Sequence, residues 1–336
     1  MIRIGINGYG RIGRCVLRAL YEQGYRDRAA VVAVNDIADH DLRVHLTRHD
    51  SSHGRFHLPV QRSGDAMIVG TDTISLLAEP DCGKLPWKSI GVDIVFDCTG
   101  LVHRRADAER HIEAGAGRVL LSYPGPADVD LTTVYGYNHR SLTADHRIVS
   151  NASCTSNCAV PVLGVIDRAF GIDTGSITVV HSLLNDQPIS DSYHSADPQK
   201  ARAGIHSLVP VDTRLAAGIA RVMPHMKDRI TASAVRVPTL NVSAMDFTLF
   251  LVADADEKTV NDALIKATNT DFTGIMGVER EPLVSLDFNH DPRSCVIAAH
   301  RTQVTAGRML KLFAWFDNEW AYAVRMLDTM IALFDA

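Results

Sequence analysis

Residues 1–36 restrict the fold more than any other stretch of this 336-residue chain. A short apolar run, Ile2 to Ile6, leads into Asn7-Gly8-Tyr9-Gly10-Arg11-Ile12-Gly13. A helical pattern on Val16, Leu17 and Leu20 follows and ends near Gly24, and a second apolar run, Ala30 to Val34, stops at Asn35-Asp36. A glycine motif of this kind is weak alone; strand, glycine turn, helix, strand and acid in that order give it a context. The glycines permit a tight turn and the close approach of a pyrophosphate, the helix N-terminus meets its charge, and the acid accepts from ribose hydroxyls. Asp36 would repel a 2′-phosphate, so NAD is favoured over NADP.

The same alternation continues. Val92 to Cys98 reads as a strand covered on both faces, followed by Thr99-Gly100 and a helix through Ala114; Arg118–Ser122 and Thr132–Gly136 read as further strands. Strands alternating with helices specify a parallel sheet, which binds ligands beyond the carboxyl ends of its strands. Asp36, Thr99 and Ser122 lie at such ends, although plain turn chemistry competes for Thr99 and Ser122. From 40 to 90 the pattern is polar, with weak strands at His57–Val60, Met67–Val69 and Ile74–Leu77. His45, His49, His53 and His57 recur every four residues, but Asp50-Ser51-Ser52-His53-Gly54 breaks any helix after the second; solvated loop histidines are expected there, and no metal.

The length suggests two domains. Lys+Arg of 34 against Asp+Glu of 39 gives a net charge of −5, so neither nucleic acid nor an anionic membrane surface is an expected partner. The N-terminus lacks a signal-peptide core and no apolar run approaches the roughly 18 residues of a membrane span, so a cytoplasmic protein is expected. Six cysteines at 15, 82, 98, 154, 158 and 295 form no disulfide framework. The sequons at Asn151 and Asn241 are then chance matches.

Within Ser150-Asn151-Ala152-Ser153-Cys154-Thr155-Ser156-Asn157-Cys158 a thiol stands at the start of a helix, with Ser153 able to cap it and Ala159, Val162, Val165 and Ile166 on its apolar face. Unpaired N–H groups at a helix start favour the thiolate, so Cys154 is a candidate nucleophile with a depressed pKa; a packed thiol is the bland alternative. Pro161 should kink the helix. For Cys158, a metal site or a local disulfide competes with a packed thiol, which is preferred. After this point the composition shifts. Long β-branched runs at 176–181, 230–237 and 243–252 suggest a mainly antiparallel sheet, with helices over Glu257–Ala267 and after Asp212. Leu183 to Ser207, with Pro188, Ser190, Ser192, Ser195 and Pro198, reads as a long functional or interface loop, and Asp317-Asn318 caps a C-terminal amphipathic helix.

Ala152–Cys158, Asn7–Arg14, Val235-Arg236-Val237-Pro238-Thr239 and Trp315-Phe316-Asp317-Asn318-Glu319-Trp320 together resemble the glyceraldehyde-3-phosphate dehydrogenase family over the whole chain. Pro210–Gly218, Val284–Pro292 and Leu85-Pro86-Trp87 are similar to its erythrose-4-phosphate dehydrogenase branch. The resemblance implies an α/β chain: a Rossmann-type NAD-binding domain over 1–153, completed by the helix at 318–336, and an α+β catalytic domain over 154–317. It implies Cys154 as nucleophile, His181 as general base, and an oxyanion site from the imidazole N–H and the Cys154 backbone N–H. It implies cofactor contacts from Asn7, Gly8, Gly10, Arg11, Ile12, Gly13, Asp36, Thr99, Ser122, Asn318 and Tyr322. Ser153, Thr155, Lys200, Thr213, Arg214 and Arg236 are implied to contact a sugar phosphate aldehyde, and a homotetramer is implied, with the 183–207 loop near an interface.

Two threonines usual after the family's histidine are replaced by Leu184 and Asp186, which weakens an inorganic phosphate subsite by roughly 1 kcal/mol or more per lost hydrogen bond. Arg236 remains as a phosphate anchor and Thr213 matches a phosphate-site threonine. Arg214 stands where phosphorylating enzymes carry glycine, either holding a sugar phosphate or filling part of the inorganic phosphate site. The implied reaction is nonphosphorylating oxidation of D-erythrose 4-phosphate through a Cys154 thioester, feeding pyridoxal phosphate synthesis. Phosphorylating oxidation of glyceraldehyde 3-phosphate is the nearest rival, and an NAD-binding protein without catalysis is the rival of another class.

Overall fold

The computed structural model describes residues 1–193 and 197–336; Ser195 of the long loop lies outside the described residues. The chain forms two compact units, Met1–Ser153 with Tyr322–Ala336, and Cys154–Ala321.

In the first unit, β1 (Ile2–Asn7), α1 (Arg11–Glu22) and β2 (Ala29–Asn35) realise the N-terminal pattern. They are followed by α2 (His40–Arg48), the short β3 (His49–Asp50) and β4 (Gly54–Arg55), and the meander β5 (Val60–Ser63), β6 (Ala66–Val69) and β7 (Asp72–Leu77). Then come α3 (Trp87–Ile90), β8 (Ile94–Asp97), α4 (Arg105–Glu113), β9 (Arg118–Leu121), β10 (Leu131–Thr132) and β11 (Ile148–Ser150). The sheet order is β10-β11-β9-β8-β1-β2-β7-β6-β5, parallel from β10 to β7 and antiparallel beyond. All four residues of β8 are buried, as a strand covered on both faces requires.

Two local readings change. α2 forms in a stretch read as polar loop and weak strand because the Asp39 carboxylate accepts from the Asp41 and Leu42 N–H groups and caps it. The run 132–136 pairs only at Leu131–Thr132, since the Asn138 side chain takes the Val134 N–H and the Thr132 carbonyl and turns the chain.

The second unit opens with α5 (Cys154–Phe170), followed by β12 (Ile172–His181), β13 (Val209–Val211), α6 (Leu215–Val222), β14 (Ile230–Arg236) and β15 (Ser243–Leu251). It continues with α7 (Glu257–Thr268), β16 (Met276–Glu279), β17 (Cys295–Ala298), β18 (Gln303–Thr305) and β19 (Met309–Phe316), and reaches the first residues of α8 (Trp320–Asp335). The order is β13-β14-β12-β15-β19-β17-β16, with β18 paired to β19. It is largely antiparallel, with β12/β14 and β16/β17 parallel. α5 runs through Pro161, and every residue from Ser156 to Ile166 is buried, so packing offsets the bond the proline cannot donate. The β12/β14 register sets His181 beside Arg236, and the β13/β14 register sets Arg236 beside Val209. No helix among the described residues is long and apolar enough to cross a membrane.

Candidate active site and cofactor crevice

The turn after β1 is built by two glycines that no other residue replaces. Gly8 has φ +87°, and a Cβ there would lie 2.8 Å from the Cys98 carbonyl carbon; a Cβ on Gly13 would lie 2.4 Å from the Gly8 oxygen. Gly10 leads into α1 and has open space around its Cα. Asp36 accepts from the Tyr9 N–H (2.7 Å) and the Ala38 N–H (2.9 Å), which fixes its carboxylate after β2. Asn7, Gly8, Asp36 and Thr99 line a crevice of about 440 Å³ at the carboxyl ends of β1, β2 and β8. Glycines that leave the backbone bare, an acid held at the end of the second strand and a crevice at the strand ends fit a dinucleotide.

Beneath the crevice lies a satisfied buried network. The Asp97 carboxylate accepts from Asn7 Nδ2 (2.9 Å), Thr99 Oγ1 (2.7 Å), Tyr123 OH (2.8 Å) and His111 Nε2 (3.2 Å). The Trp87 indole can only donate, and it donates to His111 Nδ1 at 3.0 Å, so the imidazole proton sits on Nε2 and faces Asp97. Burial would raise the Asp97 carboxyl, but these partners, His111 first, hold it below the ordinary value. The Thr99 hydroxyl therefore serves Asp97 and the Leu101 N–H. Ser122 follows β9 and is not among the residues lining the crevice. Arg11 forms a bidentate pair with Asp50 (2.6 and 3.1 Å); burial would raise the Asp50 carboxyl, but Arg11 and the His53 N–H bring it down to about 2. Ile12 lies half-buried in the first turn of α1.

The chain leaves β11 through Asn151 and Ala152. Ala152 has φ +54°, an arrangement that costs a residue with a Cβ on the order of 1 kcal/mol. Tyr322 OH holds the Ala152 carbonyl at 3.0 Å and Thr329 Oγ1 holds Asn151 Oδ1 at 2.7 Å, so the C-terminal helix fixes this segment of the first unit, which ends at Ser153.

In the second unit Cys154 is the first residue of α5, and its Sγ lies 3.8 Å from His181 Nε2 at the end of β12. His181 Nδ1 lies 2.7 Å from the Ser182 carbonyl, which can only accept. The proton is therefore on Nδ1, and the Nε2 lone pair faces the thiol. Phe316 packs edge-on to the imidazole at 6.2 Å. Burial pushes the His181 pKa down and the nearby Arg236 charge adds to this, against the Ser182 hydrogen bond. Burial pushes the Cys154 thiol up to about 12, only partly offset by the Thr155 and Cys154 N–H groups. This runs against the expected depression: desolvation outweighs the N–H groups at the helix start.

Arg236 is 5% exposed and engaged on both prongs. Its Nη1 lies 2.7 Å from Asp186 Oδ1 and 3.1 Å from Gln187 Oε1, and its Nη2 lies 3.1 Å from Asp186 Oδ2. Lys200 Nζ lies 3.5 Å from the same carboxylate. Burial would raise the Asp186 carboxyl, but Arg236 and Lys200 hold it below the ordinary range. Sequence reasoning treated Arg236 as a phosphate anchor and missed its partner. Thr213 Oγ1 accepts from the Leu215 N–H at 3.2 Å, and Arg214 is exposed just before α6. Thr155 is half-buried in the first turn of α5, and Gly218 of α6 comes so close that a Cβ there would lie 2.8 Å from Ser156 Oγ. Asn318 Oδ1 accepts from Ser182 Oγ (2.9 Å) and Ser243 Oγ (2.7 Å), which turns its amide N–H₂ away as a donor.

A dinucleotide crevice in one unit and a thiol–imidazole pair in the other are the parts of an NAD-dependent oxidoreductase. Residues 2–105 match the family model described as glyceraldehyde 3-phosphate dehydrogenase, NAD binding domain, and residues 153–318 match the model of the C-terminal domain of the same enzyme. The chain belongs to the glyceraldehyde 3-phosphate dehydrogenase family, and its N-terminal domain binds NAD.

Proposed function

We propose that this chain oxidises D-erythrose 4-phosphate to 4-phospho-D-erythronate with NAD, through a thioester on Cys154 that water hydrolyses. The observation that carries the thioester chemistry is the 3.8 Å approach of Cys154 Sγ to a His181 Nε2 whose tautomer leaves it free to accept. As Sγ attacks the aldehyde carbon, the thiol proton passes to Nε2 and the carbonyl electrons move to oxygen. That oxygen is met by the new Nε2–H and by the Cys154 backbone N–H at the start of α5. NAD held in the crevice would supply the hydride acceptor, which this carbon needs in order to become the thioester carbonyl. Gly8, Gly10, Gly13 and Asp36 hold the dinucleotide in this reading, with the Asn318 amide orienting the carboxamide. Before hydrolysis the His181 imidazolium gives the former thiol proton to solvent; the neutral ring then takes a proton from water as its oxygen bonds to the acyl carbon, and hands that proton to sulfur as the C–S bond breaks and the thiol returns.

Arg214, with Thr213, is the anchor for the substrate's phosphate: among the described residues no side chain pairs with its guanidinium, while Arg236 is already occupied. The likeness of Pro210–Gly218 and Val284–Pro292 to the erythrose-4-phosphate branch supports the four-carbon substrate. The enzyme works in this reading as a cytoplasmic homotetramer in pyridoxal phosphate synthesis. Exposed Ile189 (74%), Leu208 (68%) and Leu286 (73%) supply apolar surface for assembly. An acid-quenched reaction with NAD and aldehyde should give one equivalent of NADH and an acyl adduct on Cys154. NAD binding without either product would leave only a binding protein.

A further inference from the structure

The cation paired with His181 across the sheet is neutralised by a neighbour from the loop after β12. Arg236 stands beside His181 across the β12/β14 register and acts on the imidazole through its charge. Such a buried guanidinium, with its fork of donors, is the natural receptor for a phosphate dianion entering beside the thioester. Here the fork is filled by the two oxygens of Asp186, with Gln187 Oε1 on the same Nη1 and Lys200 Nζ on the outer side of the carboxylate. A free dianion that approaches the buried Arg236 must displace a bidentate carboxylate or sit against a like charge, whereas water meets neither cost.

We infer that Asp186 selects the acyl acceptor: as a resident counter-ion on Arg236 it keeps inorganic phosphate from the Cys154 thioester and leaves water to release the acyl group. This rests on the thioester chemistry proposed above. In the wild type water adds its oxygen to the acyl carbon, the C–S bond breaks, and the carboxylic acid and thiol leave. When Arg236 is free, a phosphate oxygen forms that bond instead, and acyl phosphate and thiol are produced. No further oxidant is needed, since the carbon is already at the acid level.

The test compares the wild type with Asp186→Asn and Asp186→Glu, using NAD and D-erythrose 4-phosphate with and without inorganic phosphate. NADH is followed by absorbance and acyl phosphate by phosphorus NMR. The wild type should make NADH at the same rate with or without phosphate and yield only the acid. Asp186→Asn should raise the acyl phosphate share about tenfold or more, the worth of one charge-assisted hydrogen bond, and Asp186→Glu should behave as the wild type. A folded, active Asp186→Asn enzyme that still yields only acid overturns the role of Asp186 and leaves the hydrolytic reading standing. A wild type that itself requires phosphate overturns the hydrolytic reading first. A measurement independent of any variant is protection of wild-type Cys154 from iodoacetamide by inorganic phosphate: none is expected, and clear protection overturns the inference.

Discussion

The crevice of the first unit is made by backbone, whereas the thiol site of the second is made by side chains. At Gly8 and Gly13 the relevant fact is the missing Cβ, and the polar groups below them form a closed set in which Asp97 accepts from four side chains. At Cys154 and His181 the polar groups face one another across 3.8 Å with a proton to exchange, and Arg236 stands beside His181 on the neighbouring strand with Asp186 of the following loop paired to it. A backbone site presents a fixed shape to a ligand that recurs in every turnover. A side-chain site holds groups whose protonation changes as bonds form, and here desolvation pushes the Cys154 thiol up to about 12 and the His181 pKa down.

This division is broken or sharpened by separating the two activities. The largest effect is expected for Cys154→Ala, which should lower turnover on the order of 10⁴-fold or more while NAD still binds by calorimetry. Retained turnover would remove Cys154 from the chemistry. His181→Asn should lower kcat by about 10²–10⁴-fold with NAD affinity unchanged. Gly8→Ala works in the opposite direction: a Cβ at φ +87° and 2.8 Å from the Cys98 carbonyl carbon should cost about 1–3 kcal/mol. It should weaken NAD binding and leave iodoacetamide labelling of Cys154 at the wild-type rate; a matched loss of labelling would mean that the two regions are not independent. The smallest effect concerns pH. Because burial raises the Cys154 pKa to about 12, the thiolate fraction of the ligand-free protein grows as pH rises, and alkylation should increase through the alkaline range. A plateau near neutral pH would show a preformed thiolate instead.

The same division explains what could be read from the sequence. The crevice was legible because Gly8, Gly13 and Asp36 lie within one βαβ unit and their spacing is the shape itself. Cys154 was visible as a thiol at a helix start, but its pKa was not, because desolvation comes from residues far away in the chain. The role of His181 came only through family likeness. The Asp186–Arg236 pair was hidden for a plainer reason: fifty positions separate the two, and only the pairing of His181 with Arg236 across β12 and β14 brings the loop and strand together. β19 went unread even though Leu310, Leu312, Ala314 and Phe316 alternate inward, whereas α2 was concealed by its charged surface and revealed only by the Asp39 cap.

The most direct test of the account is the purified protein with NAD and either D-erythrose 4-phosphate or D-glyceraldehyde 3-phosphate, each with and without inorganic phosphate, followed by NADH formation. The account predicts faster oxidation of the four-carbon aldehyde at a rate indifferent to phosphate, with 4-phospho-D-erythronate as product. Strict dependence on phosphate with preference for the three-carbon aldehyde would contradict it.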